Sequence, residues 1–374
     1  MRFISLQENL KRGLNIVGHV TSKNINLPIL NNILIKAENG NIELVSTNLE
    51  IGVVHQVRGK IESDGEFTVD SKLITEYVNL LSSGEKVKIE EKGGELKIDC
   101  EGYKTKIKGE EAKEFPLIPT ITRENPYCCL ADDFKKALNS VVFAVSNSEN
   151  RIDLTGVLFS FNDKKLSLAA TDSYRLAEKE ISLKSAPGSG EKKVIVPAKT
   201  TQEILRILNT IDSSELSEGA DINIYLSDNQ ILFTVDSVDL ISRLINGHYP
   251  DYKQIIPAKT TTEAWIERGE LIRAVKAAAL FSKTGINDIT LQISSKKITV
   301  SAFSGPSGES QVELEAEVAG GDNEITINYR YLLDGLNNIE GARVVLGVIN
   351  NSTPCILKPE QDSGYLYIVM PIRQ

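Results

Sequence analysis

The sequence has few of the residues that most metal and nucleophilic sites require. Its 374 residues include three histidines, four cysteines and one tryptophan. The histidines and cysteines are His19, His55 and His248, and Cys100, Cys128, Cys129 and Cys355. No CxxC pair occurs and no histidine lies near a cysteine in sequence, so no metal site is expected. We expect the cysteines to be buried, reduced thiols.

Other absences reduce the number of possible functions. Aromatic residues make up 6% of the chain, which argues against a base-stacking surface for single-stranded nucleic acid. No apolar run approaches the roughly 20 residues of a membrane span. The first residues, MRFISLQENLKRGL, turn polar early and do not resemble a signal peptide, so we expect a cytoplasmic protein. GxxxxGK[ST], GxSxG and HExxH are all missing, and neither an enzyme nor a cofactor is expected.

Three copies of one pattern are present instead. A strand, a polar turn and a second strand recur at ILIKAENGNIELVSTN (33–48), VLFSFNDKKLSLAATD (157–172) and ITLQISSKKITVSAFS (289–304). Amphipathic helices are predicted before each hairpin, at 6–20, 130–145 and 269–283. A second helix follows within 67–83, 194–210 and 325–339. Each repeat is thus predicted to hold two helices and roughly eight antiparallel strands, an α+β plan.

Two proline-bearing segments without periodicity, 115–126 and 249–261, separate the repeats. The predicted domains are residues 1–120, 127–250 and 256–374. Three such domains end to end would place all six helices on one side.

The charge distribution distinguishes the helices from the rest of the chain. The net charge of −9 argues against nucleic acid when taken alone. The six predicted helices, however, have a net charge of +4, which leaves −13 for the strands and loops. A sparse basic lining of this kind attracts phosphates without reading bases. Its members are Lys11, Arg12, Lys72, Lys135, Lys136, Lys199, Arg206, Arg273 and Lys276.

The segment AATDSYRLA (169–177) allows two interpretations. In a hydrolase, Asp172 could serve as a base and Arg175 as an anion clamp. Thr47-Asn48 of the first repeat aligns with Thr171-Asp172, however, and an asparagine cannot act as a base. A structural or binding role is therefore favoured over catalysis.

Several strings together resemble the bacterial DNA polymerase III β subunit, the sliding clamp family, over the whole chain. They are LPILNNILI (27–35), RIDLTGVLF (151–159), ATDSYRLA (170–177), VIVPAK (194–199), GHYPDY (247–252) and YIVMPIR (367–373). The resemblance implies a head-to-tail homodimer that closes a ring around duplex DNA, with helices lining the hole. Such a ring tethers the replicative polymerase and slides without reading sequence. An ATP-driven clamp loader, other polymerases, and repair or ligation factors would also bind the ring.

The resemblance also implies a pocket for short partner peptides that contain a glutamine and two or three apolar side chains. By motif position it comprises Leu154, Thr171, Ser173, Tyr174, Arg175, Leu176, Pro250, Ile255, Asn328, Tyr331, Ile368, Met370, Pro371 and Ile372. Ser173 and Tyr174 replace the glycine and histidine common in the family, which predicts a narrower rim. Gln254 replaces a frequent basic residue, and Gln374 a terminal hydrophobic residue.

Two further surfaces follow from the resemblance. The DNA-binding candidates are Lys23, Asn24, Lys72, Ser148, Arg151, Lys199, Arg206, Arg273 and Lys276. Ile152 and Asp153 stand where some members have aromatic residues. The subunit joint is expected to include Lys104, Lys106, Ile107 and the neighbouring Lys108 of one copy, with Leu280 and Phe281 of the other. One alternative stays open: a scaffold with the same fold and pocket that does not encircle DNA.

Overall fold

The computed structural model describes residues 1–21, 27–188, 190–211, 219–305, 308–362 and 364–372. Within them, six α-helices and 26 β-strands form two compact units. Unit 1 comprises residues 1–132, 183–188 and 202–244, and unit 2 comprises residues 133–182, 189–201 and 245–374.

All six predicted helices are present. They are α1 (Gln7–Val17), α2 (Ser71–Leu80), α3 (Ala131–Val141), α4 (Ala198–Thr210), α5 (Arg268–Ala279) and α6 (Tyr329–Asn338). The third is shorter than predicted, because a 3₁₀ turn (Val142–Ala144) replaces its last residues. The β-branched pair Val141-Val142 favours this early end, since such side chains lose rotamer freedom in a helix.

The strands follow the three repeats. The first repeat has β1 (Arg2–Leu6), β2 (Asn32–Glu38), β3 (Asn41–Thr47), β4 (Ile51–Val57), β5 (Gly59–Ser63), β6 (Gly65–Asp70), β7 (Lys86–Glu91), β8 (Glu95–Cys100) and β9 (Tyr103–Glu110). The second has β10 (Tyr127–Leu130), β11 (Gly156–Phe161), β12 (Lys165–Thr171), β13 (Arg175–Ser182), β14 (Lys192–Pro197), β15 (Asp221–Leu226), β16 (Gln230–Val235) and β17 (Val238–Arg243). The third has β18 (Thr262–Glu267), β19 (Asp288–Ser294), β20 (Lys297–Ser304), β21 (Gly308–Glu315), β22 (Glu317–Gly320), β23 (Asn323–Asn328), β24 (Arg343–Val348), β25 (Cys355–Pro359) and β26 (Tyr365–Val369). The three predicted hairpins are β2–β3, β11–β12 and β19–β20.

Unit 1 is built on one antiparallel sheet of 13 strands, in the order β10-β15-β16-β17-β4-β3-β2-β6-β9-β8-β7-β1-β5. The first and second repeats join where β17 pairs with β4, and Leu240 lies opposite Val53. Both side chains are fully buried. Alternating apolar residues give this sheet a buried face, against which α1 packs over β3 and β4.

Unit 2 contains a nine-stranded sheet, in the order β14-β11-β12-β13-β26-β25-β24-β18-β22, and a four-stranded sheet, in the order β21-β20-β19-β23. The second and third repeats join where β13 pairs with β26, and Leu176 lies opposite Ile368. Both are fully buried. This joint between two repeats positions the candidate site, because AATDSYRLA (169–177) includes the end of β12 and the start of β13.

The cysteine prediction is confirmed, since all four thiols are free and buried. Burial raises the pKa of Cys355 to about 12, which keeps that thiol protonated at neutral pH. Among the described residues, no helix combines the length and apolar character needed to cross a membrane. No group of three potential metal-ligating side chains was found in that same part of the chain.

Candidate partner-binding groove and charged surfaces

The segment after β12 forms a tight turn that Asp172 stabilises. Its Oδ1 accepts hydrogen bonds from the backbone N–H of Tyr174 (2.9 Å) and of Arg175 (3.0 Å). Thr171 Oγ1 donates to the carbonyl of Arg175 and accepts from the N–H of Ser173. Ser173 has a φ of +79°, which a tight turn of this kind requires. Asp172 is therefore a turn-forming residue, because short polar side chains mimic backbone groups in this way.

The first repeat builds the same turn with an asparagine. Asn48 Oδ1 accepts from the N–H of Glu50 (3.0 Å) and of Ile51 (2.8 Å). Thr47 Oγ1 donates to the carbonyl of Ile51 (2.9 Å), and Leu49 has a φ of +76°. The aligned Thr47-Asn48 and Thr171-Asp172 pairs thus serve one structural purpose. This explains the recurring motif without catalysis.

The turn leaves Tyr174 on the protein surface. Its side chain is 62% exposed, and its ring stacks on that of Tyr331 with centroids 6.3 Å apart and planes 16° apart. The carbonyl of Tyr174 accepts from the N–H of Met370 (2.9 Å). The turn, the start of α6 and the segment after β26 are thereby held together.

A buried apolar cluster lies at the joint of β13 and β26. The predicted pocket residues Leu154, Leu176 and Ile368 are all buried in it. Tyr249 and Tyr252, which flank the predicted Pro250, pack in the same cluster. The Tyr252 hydroxyl donates to Glu178, and burial together with this carboxylate raises the pKa of Tyr252. The phenol is therefore neutral at physiological pH.

The remaining predicted pocket residues lie at the ends of these elements. Ile255 is 41% exposed at the end of a 3₁₀ turn (Tyr252–Ile255), and Ile256 after it packs against the cluster. Asn328 caps α6 by accepting from the N–H of Arg330 (2.9 Å). Pro371 forms a bridge with Ile327, and the N–H of Ile372 donates to the carbonyl of Thr326 (2.8 Å). Their role in binding stays a prediction.

Arg175 is the pocket candidate whose surroundings differ most from the expectation. Its side chain is only 11% exposed, and it donates to Asp172, to Asp334 and to the carbonyl of Phe143. Asp334 and Phe143 were not among the predicted site residues. Nothing local in the sequence indicates them, since Asp334 is 159 residues away from Arg175.

The DNA-binding candidates fall into three groups. Lys23 and Asn24 lie outside the described residues. Six are exposed, as a sliding contact would need: Lys72, Ser148, Arg151, Lys199, Arg273 and Lys276; Arg206 is half-buried. Arg151 and Arg206 are engaged in close ion pairs, whereas Lys72 and Arg273 lie 3.8 Å from Glu76 and Glu270.

The engaged arginines have different surroundings. Arg151 pairs with Asp153 at 3.0 Å, and this hydrogen bond lowers the pKa of the Asp153 carboxyl. Arg206 pairs with Glu203 at 2.6 Å and donates to the carbonyls of Asn15 and Ile16. Arg206 thus binds the last carbonyls of α1, which a cation stabilises. His19 pairs with the same Glu203, at 2.7 Å.

The residues predicted at the subunit joint lie on β9 and directly after α5. In unit 1, Lys104 and Lys106 are exposed on β9 and Ile107 is buried. In unit 2, Leu280 follows α5 and is 78% exposed, and Phe281 is half-buried.

Both units have further exposed apolar residues that the sequence did not lead us to predict. They are Leu80 and Tyr103 in unit 1, and Phe303 in unit 2. Beside Phe303, the outer strand β21 has exposed Glu309, Glu313 and Glu315. The alternation in GESQVELE (308–315) was the available signal for such an edge strand.

Comparisons with known proteins cover the whole chain. Residues 1–119, 130–251 and 253–373 match the N-terminal, central and C-terminal domains of the DNA polymerase III beta subunit family, respectively. A Beta sliding clamp of Staphylococcus epidermidis is 30% identical over all of this chain and 99% of its own length.

Solved structures agree. A putative DNA polymerase III beta subunit of Eubacterium rectale superposes with a TM-score of 0.91 at 28% identity, over 100% of both chains. The sliding clamp of Bacillus subtilis gives 0.92 at 26% identity, over 100% of this chain and 99% of that one. A Pseudomonas aeruginosa sliding clamp bound to griselimycin gives 0.93 at 25% identity, over 100% of both. The three repeats, their sheets and these matches in chain order show that the chain belongs to the DNA polymerase III beta subunit family, the bacterial sliding clamps.

Proposed function

We propose that two copies of this chain close a ring around duplex DNA and tether the replicative polymerase to it. The match of all three family domains, in order and over nearly every residue, is the observation that carries this conclusion. The chain is a processivity factor and not an enzyme. Its effect is topological: tethering raises the local concentration of polymerase at the primer end, so dissociation ceases to limit synthesis.

Sequence-independent contact with DNA suits the exposed basic residues of the helices. Lys72 on α2, Lys199 on α4, and Arg273 and Lys276 on α5 are solvent-accessible. Phosphate contacts hold DNA without specifying sequence, so a ring lined this way would slide. With so few cations, binding is expected to be weak and to fall steeply with salt. Because Arg206 already binds α1 carbonyls, we expect it to contribute less than these four.

The groove at the joint of β13 and β26 is the proposed docking site for partner peptides. Leu154, Leu176 and Ile368 form part of a buried apolar cluster at this joint, and Tyr174, two residues before Leu176, is exposed. Apolar clefts with a few polar groups at the edge suit short peptides with apolar anchors. Polymerases, the clamp loader, and repair or ligation factors would compete for this one site.

For the subunit joint, we propose that β9 of one copy lies against β21 of the other. β9 pairs with β6 only at Gly109 and Glu110, so in the described structure most of that edge has no strand partner. Its exposed lysines would face the exposed glutamates of β21, and Leu80 and Leu280 supply apolar surface. Opposite charges on facing edges favour this register and disfavour wrong partners.

The domain boundaries 1–120, 127–250 and 256–374 and the cytoplasmic location are also proposals. The family matches at 1–119, 130–251 and 253–373 support the boundaries. A chain with four buried free thiols suits a reducing compartment.

Solution mass is the first test. Light scattering across a dilution series should give twice the 41.1 kDa chain mass. The dimer should then be loaded onto circular DNA by its clamp loader and challenged by linearisation. Retention on circles with escape from linear DNA is the expected result. A stable dimer that binds peptides but is never retained on circles would instead favour the scaffold.

A further inference from the structure

Two asparagine–glycine pairs occur in the chain, at Asn39-Gly40 and at Asn246-Gly247. All four residues are exposed. Asparagine is one of the chemically labile residues. It can cyclise most readily before a glycine, because the glycine amide nitrogen has no neighbouring Cβ that hinders its approach to the asparagine side chain. The two pairs differ in how the surrounding structure holds them.

Asn39-Gly40 is fixed by a two-residue hairpin turn. The two residues have φ values of +51° and +83°, as a type I′ turn requires, and Glu38 pairs with Asn41 to close the hairpin. The flanking strands, β2 and β3, lie inside the 13-stranded sheet and not at its edges. Rotation of Asn39 towards the geometry of a ring would have to open this closing pair. We therefore expect the first asparagine–glycine pair to react slowly in the folded protein.

Asn246-Gly247 lies in an irregular segment between two anchored residues. On one side, the N–H of Ile245 donates to the carbonyl of Ile195 at 2.9 Å, and on the other side Tyr249 is buried. Neither the Asn246 side chain nor the Gly247 N–H forms a hydrogen bond with any described residue. Gly247 also lies outside the left-handed region of φ. In the described chain, no hydrogen bond or closed turn therefore holds the Asn246 amide away from the next nitrogen.

We propose that Asn246 is a site of spontaneous deamidation in the folded protein. The Gly247 amide nitrogen attacks Cγ of Asn246 and a new C–N bond forms. The side-chain Nδ2 leaves as ammonia, with the proton that the Gly247 nitrogen gives up. Water then opens the resulting succinimide ring at one of its two carbonyls. Opening at the side-chain carbonyl gives aspartate, and opening at the main-chain carbonyl gives isoaspartate, in which the chain runs through the former side chain.

Either product changes the entry to the apolar cluster. A negative charge appears one residue before Gly247, where a Cβ would lie 3.5 Å from Cβ of Asp153. Isoaspartate also adds one carbon to the main chain between Ile245 and Tyr249, which are anchored by a hydrogen bond and by burial in the cluster. The longer chain should displace one of these anchors. Deamidation therefore loosens the packing of Tyr249, and the altered fraction grows with the age of the protein.

The test follows the full chain during incubation in mildly alkaline buffer. Peptide mapping by mass spectrometry, with an isoaspartyl methyltransferase assay, should show conversion at Asn246 about tenfold or more faster than at Asn39. In the urea-unfolded chain the two should convert at similar rates, because the hairpin no longer holds Asn39. Gly247→Ala should slow conversion about tenfold or more, because the added methyl group hinders the attacking nitrogen. That methyl group makes only ordinary contacts in the fold, so the variant should fold normally.

A second comparison separates the added charge from the longer main chain. Asn246→Asp has the charge of the product on an unaltered main chain, so it should melt close to the fresh protein. The isoaspartate fraction, separated by ion exchange, should melt at a lower temperature. Similar rates at Asn246 and Asn39 in the folded protein, or an Asn246 that reacts only after unfolding, would overturn the inference. So would a Gly247→Ala variant that converts as fast as the unsubstituted chain, and equal melting of the isoaspartate fraction and Asn246→Asp would overturn the structural effect.

Discussion

At the residue scale, Met370 gives the cleanest test of the groove. Leu176 is fully buried, so its truncation would leave a cavity that costs about 2–5 kcal/mol and confounds any binding result. Met370 is half-buried and tied to Tyr174 by its backbone. Met370→Ala should weaken partner-peptide binding about tenfold while the dimer persists, because it removes an apolar anchor surface. Fluorescence anisotropy measures the affinity.

Leu117→Ala is the control for that variant. Leu117 is 93% exposed in the segment between the first two repeats, far in sequence from the groove elements. Its truncation removes comparable apolar area but should leave peptide affinity unchanged. Equal affinities for Met370→Ala and the unsubstituted protein would show that the groove is wrongly assigned.

A second residue-scale prediction concerns His55 on β4. The side chain is 4% exposed, and burial, with the nearby charge of Arg12, lowers its pKa from 6.5 to about 4, although Asp236 acts in the opposite direction. Between these two values the unfolded chain binds more protons than the folded one, so stability falls as pH falls from about 6.5 towards 4. The loss should reach about 2 kcal/mol by pH 5.

Urea unfolding at pH 7 and at pH 5 measures this loss. His55→Gln should have a lower stability at pH 7 but a smaller difference between the two pH values, because glutamine does not titrate. If the variant shows the same pH dependence as the unsubstituted protein, the loss has another origin.

At the element scale, α6 packs on β26 through a glycine. A Cβ at Gly335 would lie 2.3 Å from Cε1 of Tyr367, whose ring is fully buried and cannot move aside cheaply. In an exposed helix, Gly→Ala stabilises by up to about 1 kcal/mol. Here the clash should outweigh that gain, and Gly335→Ala should destabilise by about 1–3 kcal/mol. Thermal unfolding measures the change.

Gly269→Ala is the matched control in α5. There the nearest heavy atom to a new Cβ is Nη1 of Arg273 at 3.7 Å, an ordinary contact. Gly269 is also exposed. This substitution should be neutral or stabilising by a few tenths of a kcal/mol. A Gly335→Ala variant as stable as Gly269→Ala would mean that α6 shifts freely against the sheet.

The helices and strands also show which parts of the structure could be predicted from the sequence. The helices and hairpins were found because their signals are local: apolar residues recur at helical or at two-residue spacing within one segment. A structural or binding role for Thr171-Asp172 was inferred from its alignment with Thr47-Asn48, although the turn and its hydrogen bonds needed coordinates. The pairing of β4 with β17 and of β13 with β26 could not be predicted. Hydrophobic periodicity indicates that a segment is a strand, but not which distant strand it pairs with. The contact of Arg175 with Asp334 could not be predicted either, because the two residues are 159 positions apart in the sequence.

At the scale of the whole molecule, assembly depends on surfaces that a single chain leaves exposed. Lys104 and Lys106 pair only loosely with Asp99 and Glu95, at 3.6 and 3.7 Å, and remain more than 60% exposed. Exposed pairs of this kind contribute little to the stability of one chain. Their larger effect is expected between copies, where the edge of β9 would meet the glutamates of β21.

Charge reversal tests this joint. Lys104→Glu with Lys106→Glu should raise the dimer dissociation constant about tenfold or more, because like charges would then face each other across the edge. Glu309→Lys with Glu313→Lys should do the same. In a head-to-tail dimer each joint combines β9 of one copy with β21 of the other. All four substitutions in one chain should therefore restore the dimer.

Light scattering across a dilution series, at low and at high salt, measures these effects. Salt should narrow the differences, since exposed charges are screened over about 10 Å at 0.1 M. Lys253→Glu with Lys259→Glu is the control: both lysines are exposed between the second and third repeats, and the change in net charge is identical. The control should remain dimeric. If the variant with all four substitutions dissociates as readily as either double variant, the lysines of β9 face a surface other than β21.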